Sequence, residues 1–182
     1  MNNVVLIFLF ISSVAISQKK TSNYMTRFGQ VAFFSHTDVE NIEAVNNQTV
    51  CTLNTDTGDI VVHLLMRAFV FKNTLMRDHF NDSYIESDFY PKAIFKGKII
   101  DFDPTQSDIQ IRMIKGQFTL RNQTAPLTFK VKIGSANESF ILSGITEVFI
   151  ENYNIKIPKL LSPNIAKSIQ VSFDFECIAQ KG

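Results

Sequence analysis

The sequence of 182 residues is poor in the residue types and motifs that most often carry covalent, metal or phosphate chemistry. It has no Trp, two Cys and three His, and its formal net charge at neutral pH is +1. Nucleic-acid binding relies on clustered Lys and Arg that neutralise phosphates, whereas these residues are scattered along this chain. No Gly-rich phosphate loop and no Gly-x-Ser-x-Gly elbow occurs. We therefore expect neither nucleic-acid binding nor nucleophilic catalysis.

The few cysteines and histidines do not form a recognisable ligand set. Cys51 and Cys177 are far apart in sequence, and in an exported protein they are either packed side chains or a disulfide. His36, His63 and His79 show no His-x-His spacing. The sequence therefore predicts no metal site and no cofactor.

Long apolar runs are also missing, apart from a short one at the N-terminus. Residues 1–17, MNNVVLIFLFISSVAIS, contain no charged side chain, and the apolar run from Val4 to Ile11 is too short to span a bilayer. Ala15-Ile16-Ser17 fits the small-residue rule for signal-peptide cleavage. We predict a signal peptide over 1–17 and one exported domain over 18–182, periplasmic or secreted, without a stable membrane span.

Alternation of apolar and polar residues, the period of a β-strand, is what the sequence has in abundance. The predicted strands cover residues 27–35, 39–45, 49–54, 60–71, 92–99, 109–120, 127–133, 139–150 and 169–175. Only Lys72 to Asp88 has a helical pattern, with Asn73 or Thr74 as its cap, and Pro91 prevents helix at the preceding residue. About eight antiparallel strands suffice to close a barrel. The alternative all-β architecture is a β-sandwich.

A more specific signal lies between Leu75 and Gly97, which reads LMRDHFNDSYIESDFYPKAIFKG. The first part is a short helix with aromatic residues, and Tyr90-Pro91-Lys92-Ala93-Ile94-Phe95 opens the next strand. Supporting segments are RFGQVAFFS at 27–35, TAPL at 124–127 and YNIKIP at 153–158. Over residues 24–177 the chain resembles the YceI-like family of exported bacterial proteins.

The resemblance implies both a fold and a class of ligand. The fold is a lipocalin-like, eight-stranded antiparallel barrel with an apolar cavity. The ligand is a long-chain amphiphile such as a polyisoprenoid, an isoprenoid quinone or a fatty-acid derivative. The family supplies no catalytic residues, and this chain has Arg121-Asn122-Gln123-Thr124 where the family has an element with His and Gly.

The 17 Phe residues favour a large apolar interior, either filled or hollow. A small barrel is just wide enough to be packed or to hold one ligand, and a void of about 300 Å³ or more would favour binding. We predict a hollow interior that holds an amphiphilic apolar ligand, with residues 72–90 as its mouth. The predicted ligand-binding residues are Val62, Leu64, Met66, Phe69, Phe71, Phe80, Phe95 and Met113, with Tyr84 or Tyr90 as a polar anchor.

Two rival functions follow from the same residues. The first is a solid structural barrel that binds a protein partner through its loops, and a homodimer is also left open. The second is an enzyme that uses the pair Asp78-His79. Adjacent helical residues point about 100° apart, so Asp78 is poorly placed to orient His79 as a general base, and we expect no catalysis.

Overall fold

The computed structural model describes residues 22–158 and 162–180, and its main element is a single closed antiparallel sheet. The strands are β1 (Asn23–His36), β2 (Asn41–Asn54), β3 (Asp59–Leu65), β4 (Val70–Phe71), β5 (Lys92–Ile99), β6 (Gln110–Leu120), β7 (Gln123–Ala136), β8 (Ser139–Phe149) and β9 (Ser168–Ala179). β1 pairs with both β2 and β9, and the other strands follow in the order β9, β8, β7, β6, β5, β3, β2. This confirms the predicted eight-stranded barrel. The predicted signal peptide, residues 1–17, lies outside the described residues.

The one α-helix among the described residues lies where the sequence predicts it. Helix α1 (Thr74–His79) continues into a π-helical turn over Phe80–Tyr84. The Asn73 side chain accepts hydrogen bonds from the backbone N–H of Leu75 at 2.8 Å and of Met76 at 3.4 Å. This satisfies donors that the first helical turn leaves free, so Asn73 is the cap. We call residues 72–90, which contain these turns, the mouth segment.

Period-two alternation places the core inside the barrel, because successive side chains of a strand point to opposite faces. On β3, Ile60, Val62 and Leu64 are buried, whereas His63 is exposed. On β5, Ala93, Phe95 and Ile99 are buried, and the lysines between them are exposed. The inward faces predicted for these two strands are confirmed.

The predicted strands 39–45 and 49–54 are in fact one strand, β2. The polar residues Asn46-Asn47-Gln48 suggest a turn, but Asn46 is fully buried. Its amide donates to the Leu65 carbonyl at 2.9 Å and accepts from the Gln48 N–H at 2.8 Å. Opposite these residues, β1 shifts register around Gly29. The irregularity is therefore a bulge, which the Asn46 side chain stabilises by replacing ladder hydrogen bonds.

The predicted strand 60–71 is interrupted after Leu65. Met66–Ala68 form a 3₁₀ turn, and the Met66 N–H donates to the Pro91 carbonyl at 2.9 Å. Arg67 pairs with Asp88 of the mouth segment at 2.5 Å. The chain then adds the short strand β4 beside β2. Contacts with Asp88 and Pro91, which strand periodicity does not encode, therefore accompany the end of β3.

The inward direction expected for Met113 is wrong. On β6 the buried residues are Gln110, Ile114 and Leu120, so Met113 and Ile111 lie on the outer face. Gln110 takes an inward position because its amide donates to the Asp103 carbonyl at 2.7 Å and its oxygen accepts from the Asp103 N–H. The inward face of β6 thus contains a buried polar residue with hydrogen-bond partners, Gln110, and the inward face predicted from Ile111 and Met113 is the opposite one.

Candidate ligand-binding site

One end of the barrel, which we call the mouth, contains a cavity of about 200 Å³. The mouth carries the β1–β2 turn, the mouth segment, the β6–β7 turn and the described parts of the β8–β9 connection, residues 150–158 and 162–167. All but five of the lining residues are apolar. The volume is below the ~300 Å³ typical of drug-sized pockets but exceeds the ~150 Å³ of a cavity that holds benzene. The barrel is therefore partly hollow, with a smaller void than expected.

Four phenylalanine rings border this cavity beside the mouth segment. Phe33 from β1 lies 5.4 Å from Phe69, 5.7 Å from Phe71 and 5.5 Å from Phe80 between ring centroids. Phe80, from the π-helical turn, also contacts Phe69 and Phe71 at 5.7 and 5.1 Å. Such aromatic pairs are each worth about 0.5–1.5 kcal/mol beyond area burial. The rings therefore fasten the mouth segment to β1 and to the end of β4.

Polar contacts hold the mouth segment in one conformation. Asn81 is buried; its amide donates to the Arg77 carbonyl at 2.9 Å, and its oxygen accepts from the Ser87 hydroxyl at 2.8 Å. The Ser87 N–H also donates to the Asn81 carbonyl at 2.8 Å. These bonds make residues 77–87 a closed loop over the cavity.

Arg121 connects three segments at the mouth. Its guanidinium donates to the Glu86 carboxylate and to the Asn154 carbonyl, and it lies 5.3 Å from the centre of the Tyr90 ring. The Arg121 side chain is only 11 % exposed, whereas Glu86 is 38 % exposed. Because the guanidinium is nearly buried, it depends on these partners in place of water. Arg121 therefore connects the β6–β7 turn to the mouth segment and to the β8–β9 connection.

The polar lining of the cavity consists of Ser35, Glu40, His79, Tyr84 and Asn164. The Glu40 carboxylate accepts from the Asn164 amide at 3.1 Å, and the Ser35 hydroxyl accepts from the Ala166 N–H at 3.1 Å. Burial, and then the negative charge of Glu40, raise the pKa of the Tyr84 phenol above its ordinary value. Tyr84 therefore stays protonated at neutral pH, close to a carboxylate.

The lower half of the barrel is more nearly filled. A void of about 80 Å³ lies there, and it shares Val31, Leu64, Phe118, Val148 and Val171 with the larger cavity. The rings of Phe95, Phe129, Phe173 and Phe175 form a chain of contacts with centroid distances of 5.3–5.5 Å. The tail of a ligand would thus meet a second, narrower space below the first.

Glycines opposite these rings make the dense packing possible. A Cβ on Gly97 would lie 2.6 Å from the Phe95 ring, and one on Gly144 would lie 2.8 Å from the Phe173 ring. Both distances are shorter than normal carbon contacts, so the rings occupy space that any other residue would fill. Part of the phenylalanine content therefore serves packing rather than a cavity.

Eight of the ten predicted ligand-binding residues line one or both voids. Leu64, Met66, Phe69, Phe71, Phe80 and Tyr84 line the larger cavity. Val62, Leu64 and Phe95 line the smaller one. Tyr90 instead packs against Arg121, and Met113 is on the outer face. Whether any of them contacts a ligand stays a prediction.

The sequence reasoning missed several lining residues from strands far apart in the chain. Phe33, Phe118, Val148 and Val171 line the larger cavity, and each lies on a strand that the sequence predicts. Their alternation could have identified them as inward-facing. Alternation could not identify Glu40 as a lining residue. The sequence predicts a strand over 39–45, whereas Glu40 lies in the turn before β2.

The proposed catalytic pair is not arranged as a pair. The Asp78 carboxylate accepts from the Arg77 guanidinium at 2.8 Å, while the His79 ring lies 6.4 Å from the Tyr84 ring. Asp78 and His79, the two residues of the rival enzyme hypothesis, thus each contact a different side chain. Across residues 22–158 and 162–180, no group of three or more His, Cys, Asp or Glu side chains is placed to bind a metal ion.

Cys51 and Cys177 are neighbours in the core. Both are free thiols with no exposed surface, and the Cys177 thiol lies 4.0 Å from the Cys51 carbonyl oxygen. The hydrogen bond with Cys177, followed by burial, raises the pKa of the Cys51 thiol well above its ordinary value. Thiols are reactive as thiolates, so this one is protected at neutral pH.

The comparisons with known structures agree on the fold. A polyisoprenoid-binding domain from Saccharophagus degradans implicated in plant cell wall breakdown is 10% identical, with a TM-score of 0.74 over 88% of this chain and 100% of that one. BcnA of Burkholderia cenocepacia is 13% identical, with a TM-score of 0.68 over 84% of this chain and 96% of its own. The YCEI protein of Campylobacter jejuni is 13% identical, with a TM-score of 0.58 and full coverage of both chains.

The family model gives the assignment. No helix in the described ranges is long and apolar enough to cross a membrane. The comparison with curated proteins finds no match. The model of the YceI-like domain, however, matches residues 12–177, which is most of the sequence. The chain therefore belongs to the YceI-like domain family.

Proposed function

We propose that the protein is an exported carrier that holds the apolar tail of an amphiphilic lipid, isoprenoid or fatty-acid-like, inside the barrel. The observation that supports this most is the apolar cavity of about 200 Å³ at the mouth. An apolar void in a protein core is costly when it is empty, by about 24 cal/mol per Å³. Its retention is reasonable where a ligand fills it.

The fold of the family also supports binding rather than chemistry. The solved structure with the highest TM-score of the three above is a polyisoprenoid-binding domain. For this chain we propose carriage or sequestration in the periplasm or outside the cell. No reaction is part of the proposal.

The first test is the dependence of affinity on tail length. Straight-chain alcohols from hexanol to dodecanol should bind with an affinity that rises about fourfold per methylene, since each buried methylene contributes about 0.8 kcal/mol. The affinity should stop increasing with tail length once the tail fills the lumen. Affinities that do not depend on length would contradict a tail-binding cavity.

A matched pair of variants locates the site. Met66 is 5% exposed and lines the cavity, whereas Val70, four residues later, is 68% exposed on the outside. Met66→Lys should abolish alcohol binding because it places a charge in an apolar space, and Val70→Lys should bind normally. Native mass spectrometry of protein purified from its own host should also show a copurifying lipid.

The rival function is a structural barrel that binds a protein through its loops. The filled lower half of the barrel favours it, because the rings of Phe95, Phe129, Phe173 and Phe175 pack there as in a solid core. In that case Met66→Lys would destabilise the fold, the alcohols would not bind, and no lipid would copurify.

A further inference from the structure

The charge at the rim of the cavity restricts the head group of the ligand. Among the described residues that line the cavity, Glu40 is the one with a formal negative charge, and none is a Lys or an Arg. Asn164 donates one hydrogen bond to its carboxylate at 3.1 Å. A carboxylate can accept several further bonds, so Glu40 retains the capacity to receive donors from a ligand.

Four cations on or beside the mouth segment are paired with other carboxylates. Arg67 binds Asp88 at 2.5 Å, Lys72 binds Glu43 at 2.5 Å, and Arg77 binds Asp78 at 2.8 Å. Arg121 binds Glu86. Lys156 and Lys167 are exposed, and neither lines the cavity. Within the described part of the cavity wall, a negatively charged head group would therefore meet Glu40 with no Lys or Arg side chain to compensate for the repulsion.

Neutral polar groups at the rim do not offset this repulsion between Glu40 and a negatively charged head group. The Tyr84 phenol has a raised pKa and remains protonated beside the charge of Glu40, and the Ser35 hydroxyl oxygen already accepts from the Ala166 N–H. Glu40 lies in the β1–β2 turn, where its backbone N–H and carbonyl both bond to the Thr37 hydroxyl at 3.1 Å. The turn therefore fixes the backbone of Glu40 at the rim.

We propose that Glu40 selects a ligand whose head group donates hydrogen bonds and carries no negative charge, such as an alcohol, a primary amide or an amine. Ionised fatty acids and lipid phosphates are then disfavoured ligands of the same cavity. This inference rests on the proposed carrier function and narrows it to one class of head group.

The test compares three probes with the same ten-carbon tail: decanol, decylamine and decanoate. At about pH 8 the amine is protonated and the acid is ionised. Wild-type protein should bind decanol and decylamine at least about tenfold more tightly than decanoate, because a nearby like charge disfavours the anion. Affinities can be measured by displacement of a fluorescent apolar probe.

Two substitutions assign the preference to Glu40. Glu40→Gln keeps an oxygen for Asn164 but removes the charge, so decanoate should bind more tightly and decylamine more weakly. Glu40→Lys should reverse the preference in favour of decanoate. Glu138→Gln removes an exposed carboxylate from the β7–β8 turn at the opposite end of the barrel, and it should leave all three affinities unchanged.

The possible failures are distinguishable. If wild-type protein binds decanoate as tightly as decanol, the head-group inference is wrong while the carrier function stands. If the preference exists but survives Glu40→Gln, its assignment to Glu40 is wrong. If none of the three probes binds, the carrier function itself is overturned.

Discussion

Replacement of Val148 by Phe tests whether the space inside the barrel is used. Val148 is 9% exposed, lies on β8 and lines both voids, so a larger side chain there would grow into the passage between them. Phe has four more side-chain carbons than Val, which contribute up to about 3 kcal/mol if they are buried without strain. In a well-packed core the same change costs about 1–3 kcal/mol.

The expected result has two parts that a solid barrel would not combine. The free energy of unfolding of ligand-free Val148→Phe should equal that of wild type or exceed it by up to about 2 kcal/mol, the difference between these two terms. Decanol at a hundred times its dissociation constant should stabilise wild type by about 2.7 kcal/mol. It should not stabilise the variant, because the Phe ring occupies the space for the tail.

Urea denaturation with and without decanol measures both parts. The control is Ile145→Phe on the same strand, since Ile145 is 58% exposed on the outer face. This control should change the unfolding free energy by less than about 0.5 kcal/mol and keep the stabilisation by decanol. The reasoning would be refuted by a Val148→Phe protein that is clearly destabilised yet still stabilised by decanol.

Three further predictions concern the scaffold around the site. Gly116→Ala should lower the free energy of unfolding by about 1–3 kcal/mol, measured by urea denaturation, because the new Cβ meets the Lys96 carbonyl; unchanged stability would mean that β5 and β6 separate easily. Arg121→Met should cost about 1–3 kcal/mol and make the mouth segment more sensitive to limited proteolysis, because Glu86 loses its partner; an intact cleavage pattern would contradict this connecting role of Arg121. The pKa of the Cys51 thiol is raised in the folded state, so its contribution to stability is fully present below the unfolded thiol pKa of about 8.5 and is lost as the pH rises through the folded pKa. Cys51→Ala should flatten this decline of the unfolding free energy with pH. An equal decline in both proteins would exclude the thiol as its cause.

The fold was predictable because strand periodicity is a local property of the chain. The alternation on β3 and β5 placed their inward residues correctly, and the helix cap was narrowed to Asn73 or Thr74, of which Asn73 is the cap. The errors occurred where a buried amide replaced backbone partners. Asn46 suggested a turn inside β2, and on β6 the inward position that precedes Ile114 belongs to Gln110, whereas Ile111 and Met113 lie on the outer face.

The cavity was predictable only in outline. The sequence indicated which side chains point inward, and most predicted ligand-binding residues line a void. It did not indicate how much room they leave, because volume depends on how rings from different strands fit together. Phe95 and Phe173 pack over glycines of neighbouring strands, which makes the lower half tighter than the composition suggests.

Sequence and tertiary structure therefore determined different features of this protein. The sequence by itself determined the all-β class, the helical mouth segment and the apolar character of the interior, since each follows from residues close together in the chain. Only the tertiary structure decided that Glu40, Tyr84 and Asn164 meet at one rim and that Cys51 and Cys177 are neighbours. Barrel closure brings these distant residues together, and local periodicity contains no information about which strands face each other across a lumen.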